Sequence, residues 1–125
     1  MTTFKSTYNL NETLGRIVKT LIEHDMTIFT IIDHSGGATQ VGLTMPNTKL
    51  VIFGNPEAGT ELMLRDPAFS MELPLRIVVK ENNHGTEIMY QKILEIASRY
   101  ELTELESSIR QMDKNIVALI KKAVS

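Results

Sequence analysis

The segment Gly54–Thr60 has residue types that suit the binding of an anion or another small molecule. An apolar run predicts a buried strand up to Phe53, and Asn55 followed by Pro56 is typical of a helix N-terminus. Free backbone amides and the helix dipole favour negative charge there, and glycine lets a ligand approach the backbone closely. The predicted ligand-binding residues of this segment are Gly54, Asn55, Gly59 and Thr60.

The same turn also has a purely structural interpretation. It contains neither the Gly-Lys-Ser/Thr of a phosphate-binding loop nor the three spaced glycines of a dinucleotide-binding fingerprint. Glu57 lies in the first turn of the predicted helix, where its carboxylate would compete with a bound anion. A well-capped connection between strand and helix is therefore the simpler interpretation of these residues, and a binding site is the alternative.

Asp33 and His34 follow a predicted strand and could supply a carboxylate beside a general acid–base group. Together with Glu57 they define the alternative prediction, an acid–base enzyme that acts near the same turn. Adjacent residues at a strand end usually point to opposite sides, so an exposed turn is the simpler interpretation of this pair. Arg76 enters an apolar strand and could line a pocket, although an alternating strand would turn it towards solvent. Asp33, His34 and Arg76 complete the predicted ligand-binding set.

The chain offers little to a metal ion or to a nucleophilic mechanism. It has no cysteine, which excludes zinc ribbons, thiolate nucleophiles and disulfide frameworks, and its 3 histidines include no pair at helical spacing. The 7 methionines show no close pairing suited to copper(I), so they are predicted to fill the core. No metal site is predicted, the cofactor is left unassigned, and a non-catalytic domain is favoured over an enzyme.

Composition restricts the partners that the chain can have. With 13 basic against 15 acidic residues and 6% aromatic residues, it has neither the basic stripe nor the stacking platform of a nucleic-acid-binding protein. No apolar run reaches the length of a membrane span, and the first residues lack the pattern of a signal peptide. The absence of cysteine fits a reducing compartment. We expect a cytoplasmic protein with no nucleic-acid partner and no membrane partner.

Apolar periodicity predicts the element order β-α-β-(α)-β-α-β-β-α-α. Lys49–Phe53 is a continuous apolar run, which predicts a central strand buried on both faces. Asp33–Gly37 predicts a turn, and residues 38–45 fit either a short helix or an irregular crossing. Hairpins alongside crossovers predict a single α+β domain over residues 1–125, with two layers and helices packed on a mixed, mainly antiparallel sheet of about five strands.

The C-terminal helix, residues 104–125, is the predicted contact of a homodimer. Its apolar positions are Leu105, Ile109, Met112, Ile116, Leu119 and Ala123. Packing of this stripe on the sheet of its own chain is the plain interpretation. A contact across a two-fold axis is the alternative, because a second copy would cover one more apolar face.

One long string resembles the domain of unknown function 302 family of bacteria and archaea: Ile52-Phe53-Gly54-Asn55-Pro56-Glu57-Ala58-Gly59-Thr60-Glu61-Leu62-Met63. The likeness continues in Ile32-Asp33-His34, Gly42-Leu43, Pro46 with Thr48, Leu73-Pro74-Leu75-Arg76 and Ala97-Ser98-Arg99-Tyr100-Glu101-Leu102. This resemblance implies a two-layer α+β fold, often dimeric, with no established activity. The chain departs from the family pattern at Glu57, where a basic residue is usual, and at Gln91-Lys92, where Asp-Pro is usual. The first departure weakens any site that relies on positive charge beside the turn.

The sequence thus predicts a small, cytoplasmic, homodimeric bacterial domain that binds a small molecule or an anion at Gly54–Thr60. The acid–base enzyme is one alternative. A non-catalytic protein-interaction module, which would use a sheet edge or the last helix, is another. The ligand, the strand order and the dimer interface are left open.

Overall fold

The computed structural model describes all of residues 1–125. It contains five strands and five helices, in which apolar side chains recur with periods of two and of 3.6 residues. The strands are β1 (Thr2–Ser6), β2 (Thr27–Asp33), β3 (Thr48–Gly54), β4 (Leu75–Asn82) and β5 (Gly85–Tyr90). The helices are α1 (Leu10–Glu23), α2 (His34–Gln40), α3 (Pro56–Arg65), α4 (Ile93–Ala97) and α5 (Glu106–Val124). Short 3₁₀ helices at Pro67–Met71 and Thr103–Leu105 precede β4 and α5. The element order is the one predicted from the sequence.

The five strands form one sheet in the order β1-β5-β4-β3-β2, so β4 is central and β1 and β2 are the edges. Every neighbouring pair is antiparallel. The β4–β5 hairpin turns through Gly85, whose φ of 126° lies in the region that favours glycine. The α+β prediction is confirmed, and the sheet contains no parallel pair.

Helices α1 and α5 cover one face of the sheet. Asn9 begins α1, because its side-chain oxygen accepts a hydrogen bond from the backbone N–H of Glu12 at 2.8 Å. The apolar face of α1 then packs on the inward-facing residues of the strands and on α5. This main core cluster consists of Leu10, Ile17, Leu21, Val51, Phe53, Ile77, Val79, Ile88, Tyr90, Ile116, Ile120 and Ala123.

A second core cluster joins α3, the 3₁₀ helix at Pro67–Met71, α4 and the start of α5. Its buried members are Leu62, Phe69, Ile93, Ile96, Ala97, Leu102 and Ile109. The rings of Phe69 and Tyr100 meet edge to face with 5.0 Å between their centroids, a favourable aromatic geometry. Leu75 packs against both clusters, so the start of β4 connects them.

A buried carboxylate ties α5 to the sheet and to α4. Asp113 is 4% exposed, and it accepts hydrogen bonds from the Tyr90 hydroxyl at 2.7 Å and from the backbone N–H groups of Ile93 at 2.8 Å and Leu94 at 3.0 Å. Helix α4 has no side-chain cap of its own, so Asp113 caps it from another helix. Burial, together with the charge of Asp113, raises the pKa of the Tyr90 phenol well above its ordinary value, so this group stays a hydrogen-bond donor.

The prediction that β3 is central and buried on both faces is wrong. Strand β3 lies beside the central β4, and it alternates between the buried Val51 and Phe53 and the partly exposed Leu50 and Ile52. The reason is that the helices of the main core cluster lie on one face only, which leaves the other face of the sheet open.

The predicted turn at Asp33–Gly37 is also wrong, because a helix starts there. The Asp33 carboxylate accepts a hydrogen bond from the backbone N–H of Gly36 at 2.9 Å and so acts as the N-cap of α2. The cap holds two consecutive glycines, Gly36 and Gly37, in the helix despite their low helix propensity. The short helix therefore begins earlier than residues 38–45.

Candidate functional site

A cavity of about 480 Å³ lies between the two core clusters. Its walls include Leu62 and Ile93 of the second cluster, Ile116 of the main cluster, and Leu75, which packs against both. The cavity therefore occupies the seam where α3 and the 3₁₀ helix after it meet the end of the sheet and α5. Its volume falls within the range of about 300–1,000 Å³ that is usual for small-molecule sites.

The lining of this cavity is mainly apolar, with 10 hydrophobic residues among 18. No aspartate, glutamate, lysine, arginine or histidine belongs to it. The complete lining is Met26, Phe29, Gly54, Asn55, Pro56, Ala58, Gly59, Thr60, Leu62, Met63, Ser70, Leu73, Pro74, Leu75, Ile93, Met112, Asn115 and Ile116. A charged ligand would find no counter-ion here and would lose hydration without compensation.

The turn Gly54–Thr60 forms one wall of the cavity, and the side chain of Asn55 fixes its shape. The Asn55 side-chain oxygen accepts hydrogen bonds from the backbone N–H groups of Glu57 at 3.0 Å and Ala58 at 3.2 Å. The N–H of Gly59 donates to the backbone carbonyl of Asn55 at 2.9 Å, and Pro56 has no N–H. The first-turn amides of α3 are thus satisfied within the chain, and none is left to bind an anion.

Three polar groups of the lining have hydrogen-bonding capacity that the chain does not use. The side-chain NH₂ groups of Asn55 and Asn115 and the hydroxyl of Ser70 make no hydrogen bond to another residue, whereas the side-chain oxygen of Asn115 accepts from Gln111 at 2.8 Å. The Thr60 hydroxyl donates to the Pro56 carbonyl at 2.6 Å. A ligand with one or two hydrogen-bond acceptors on an apolar body would match these donors.

Three of the seven methionines, Met26, Met63 and Met112, belong to the lining together with Phe29. Unbranched thioether side chains adapt to ligands of different shape and contact aromatic rings favourably. Sequence reasoning assigned these methionines to the core. Their positions in the sequence could not predict that they line one cavity, because they come from three separate parts of the chain.

Asp33 and His34 lie far from the cavity. In the β2–β3 pairing Thr27 is opposite Gly54, whereas Asp33 is opposite Lys49. Asp33 lies six residues after Thr27 along the extended strand, a distance of roughly 20 Å. His34 is exposed and makes no side-chain hydrogen bond.

The carboxylate of Asp33 is held in its charged form. The backbone N–H of Gly36, the Ser35 hydroxyl at 2.7 Å and the Lys49 ammonium at 3.0 Å lower the pKa of Asp33 from 3.8 to about 2. A general base working near neutral pH needs a pKa much closer to 7. The geometry of Asp33 is that of a helix cap.

We expect the stability of the domain to fall when acid protonates this cap. Because the folded pKa is lowered, the Asp33 carboxylate stabilises the native state above about pH 4, and this contribution is lost as the pH falls towards 2. The variant Asp33→Asn keeps a capping side chain that does not titrate, so it should lack this part of the acid-dependent loss. Urea midpoints at pH 5, 3 and 2 test this, and parallel pH profiles for the two proteins would contradict it.

Of the seven predicted ligand-binding residues, the structure brings four together in the cavity wall and leaves three outside it. Gly54, Asn55, Gly59 and Thr60 form the wall. Asp33 and His34 lie at the far end of β2, and Arg76 is exposed on β4 opposite Ile52, on the face that the helices leave open. Glu57 is exposed beside the turn and is not part of the lining.

Neither a grouped set of metal ligands nor a membrane-spanning helix is present. Histidine and acidic side chains nowhere form a group of three or more that could hold a metal ion. None of the helices combines the length and the apolar character that crossing a membrane would require.

Comparison with known proteins gives matches of three kinds. The model of the family described as "Domain of unknown function DUF302" matches residues 2–123. The crystal structure of an uncharacterized conserved DUF302 protein from Bacillus stearothermophilus matches with a TM-score of 0.80 at 15% sequence identity, over 98% of this chain and 94% of that chain. At this identity the likeness to a solved structure shows the fold alone.

The third kind of match is to the fluoride-specific ion channels of Brucella. FluC 1 of Brucella suis is 36% identical over 85 residues, which are 68% of this chain and 34% of the channel. FluC 2 of Brucella melitensis is 36% identical over 85 residues as well, which are 32% of that channel. The chain thus spans about a third of the length of these curated relatives.

Proposed function

The chain belongs to the DUF302 family, and we propose that it is a small-molecule-binding domain whose cavity takes an uncharged, largely apolar ligand. The observation that carries this proposal is the 480 Å³ cavity between the two core clusters, which no charged side chain lines. A space of this size holds water when no ligand is bound. An apolar ligand of similar size would release this water and gain contacts with the walls.

The character of the walls defines the ligand class further. Apolar side chains would surround the body of the ligand, and the free donors of Asn55, Ser70 and Asn115 would bind one or two acceptor atoms. An anion has less support at this site, because the first-turn amides of α3 are already used and Glu57 adds negative charge beside the turn. We therefore favour a neutral carbonyl, amide or ether compound over a phosphate or carboxylate.

The acid–base alternative has less support. Of its three candidate groups, Asp33 and His34 are separated from the turn by roughly 20 Å of extended strand. The third, Glu57, is exposed and does not line the cavity. The Brucella relatives are named as fluoride-specific ion channels. We do not extend ion conduction to this chain, because it matches only about a third of their length. The proposal is accordingly binding without catalysis.

A matched pair of ligands tests the proposal. 2-Naphthamide and 2-naphthoate have almost the same shape, but only the second is charged at pH 7. We expect 2-naphthamide at ten times its dissociation constant to stabilise the domain by about 1.4 kcal/mol, which is a shift of several degrees in Tm for a chain of this length. The carboxylate should bind at least tenfold more weakly, because its charge loses hydration without a partner. Equal stabilisation by both compounds, or a larger effect of 2-naphthoate, would refute a neutral site.

A further inference from the structure

An unusual stretch of the chain runs from Thr27 to Asn47 and comprises β2, α2 and the loop after it, here called the β2–α2 segment. None of its residues is buried. Six of the ten exposed large apolar side chains of the protein lie in it: Phe29, Ile31, Ile32, Val41, Leu43 and Met45. Val41 and Leu43 are 72% and 65% exposed. Exposed apolar side chains concentrated in one segment are typical of an interaction site.

The free edge of β2 lacks most of the features that prevent edge-to-edge pairing. Strand β2 is an edge of the sheet, so one side of its backbone has no neighbouring strand. It contains no lysine, arginine or proline, whereas the opposite edge strand, β1, contains Lys5. A β-bulge between Ile28 and Thr30 is its single irregularity.

The pattern of β2 is complementary to itself. Thr30 is the central residue of the strand. Ile28 and Phe29 precede it in the sequence, and Ile31 and Ile32 follow it. An antiparallel pair of two β2 strands centred on Thr30 therefore places apolar residues opposite apolar residues. A two-fold axis produces this arrangement without any second kind of surface.

Charge and size fit a second copy of this chain. Asp33 is the one acidic residue of the segment, which contains no lysine or arginine, and Lys49 of the same chain already neutralises it at 3.0 Å. In the antiparallel pair the two Asp33 side chains lie at opposite ends, roughly 20 Å apart. The 21 residues from 27 to 47 also match the 20–30 residues that a standard interface uses on each side.

We propose that the β2–α2 segment is the interface of a homodimer in which the β2 strands of two copies pair across a two-fold axis. The C-terminal helix is less suited to this contact. Its buried residues Ile109, Ile116, Ile120 and Ala123 pack within their own chain, and its exposed side carries charged residues such as Lys114 and Lys121. Phe29 is the one residue of the segment that also belongs to the cavity lining.

Sedimentation at micromolar concentration tests this proposal with a matched pair of variants. The wild-type chain should sediment with twice the mass of one 14.1 kDa chain. Thr30→Lys places two ammonium groups opposite each other at the axis, and should raise the dissociation constant of the dimer at least tenfold. Thr3→Lys makes the same change on β1, the other edge, and should leave the dimer unchanged. A wild-type monomer at about 100 μM, or a Thr30→Lys dimer as tight as the wild type, overturns the proposal.

Hydrogen exchange of the wild-type protein gives a second readout that does not depend on the folding of any variant. Raising the protein concentration from about 0.1 to 100 μM should slow exchange of backbone amides in residues 27–47, because pairing removes them from solvent. Amides of β1 should not respond. Protection that appears in β1 or α5 and not in the β2–α2 segment would place the interface elsewhere and overturn the proposal.

Discussion

Replacing Asp113 with alanine is expected to lower the free energy of unfolding by about 3–5 kcal/mol. The substitution leaves three donors without an acceptor: the buried Tyr90 hydroxyl and Ile93 backbone N–H, and the partly buried backbone N–H of Leu94. Each unpaired donor costs roughly 1–3 kcal/mol, and the removal of a buried charge offsets part of the sum. Domains of this kind have a total stability of about 5–15 kcal/mol, so the loss is large enough to be decisive.

Urea denaturation measures this loss, and neighbouring variants separate its causes. Tyr90→Phe removes one hydrogen bond and should cost about 1 kcal/mol. Lys114→Ala changes the exposed residue next to Asp113 on the same helix and should stay within about 0.5 kcal/mol of the wild type. If Asp113→Ala unfolds within about 1 kcal/mol of the wild type, the carboxylate does not hold α4, α5 and β5 together as described.

The variant Gly59→Leu is expected to weaken 2-naphthamide binding at least about 100-fold while the fold is kept. Gly59 belongs to the cavity wall, and a Cβ atom built there would lie 3.6 Å from a Leu73 methyl group, an ordinary van der Waals contact. The backbone therefore has room for the side chain, whose remaining atoms would occupy space that the ligand needs. Loss of a helical glycine stabilises α3 by about 0.5–1 kcal/mol, so weaker binding would not reflect unfolding.

Gly15→Leu is the matched control for this effect. Gly15 lies in α1, and no atom lies within 4 Å of the position that a Cβ atom would take there, so the substitution has the same influence on helix propensity without touching the cavity. Its affinity for 2-naphthamide should equal that of the wild type in a thermal-shift titration. Unchanged binding by a folded Gly59→Leu protein would mean that the ligand occupies another site.

Much of the fold could be predicted because it depends on short-range signals. Asn9 with Glu12 and Asn55 with Pro56 define the starts of α1 and α3 through local hydrogen bonds and a fixed backbone angle. The burial of β3 could not be predicted from its apolar run. Whether Leu50 and Ile52 meet a second layer depends on where helices from other parts of the chain pack.

The wall of the site could be predicted in part, and its chemistry could not. Gly54–Thr60 is a local feature, but Asn55 uses its side-chain oxygen on the same amides that an anion would have needed. The rest of the lining comes from residues as distant in sequence as Met26 and Ile116, which only the tertiary structure brings together. One signal for a buried structural carboxylate was present in the sequence: Asp113 lies on the apolar face of α5, four residues after Ile109.

Methionine methyl NMR with 2-naphthamide tests most directly whether the seam between the two core clusters binds a neutral ligand. The side chains of Met26, Met63 and Met112 line the cavity, whereas the other four methionines, Met1, Met45, Met71 and Met89, do not. An aromatic ligand in the cavity shifts nearby methyl resonances through its ring current, so we expect three signals to move and four to stay. Saturable shifts confined to the other four methionines, or no saturable shift of the three cavity signals, would contradict binding in this cavity.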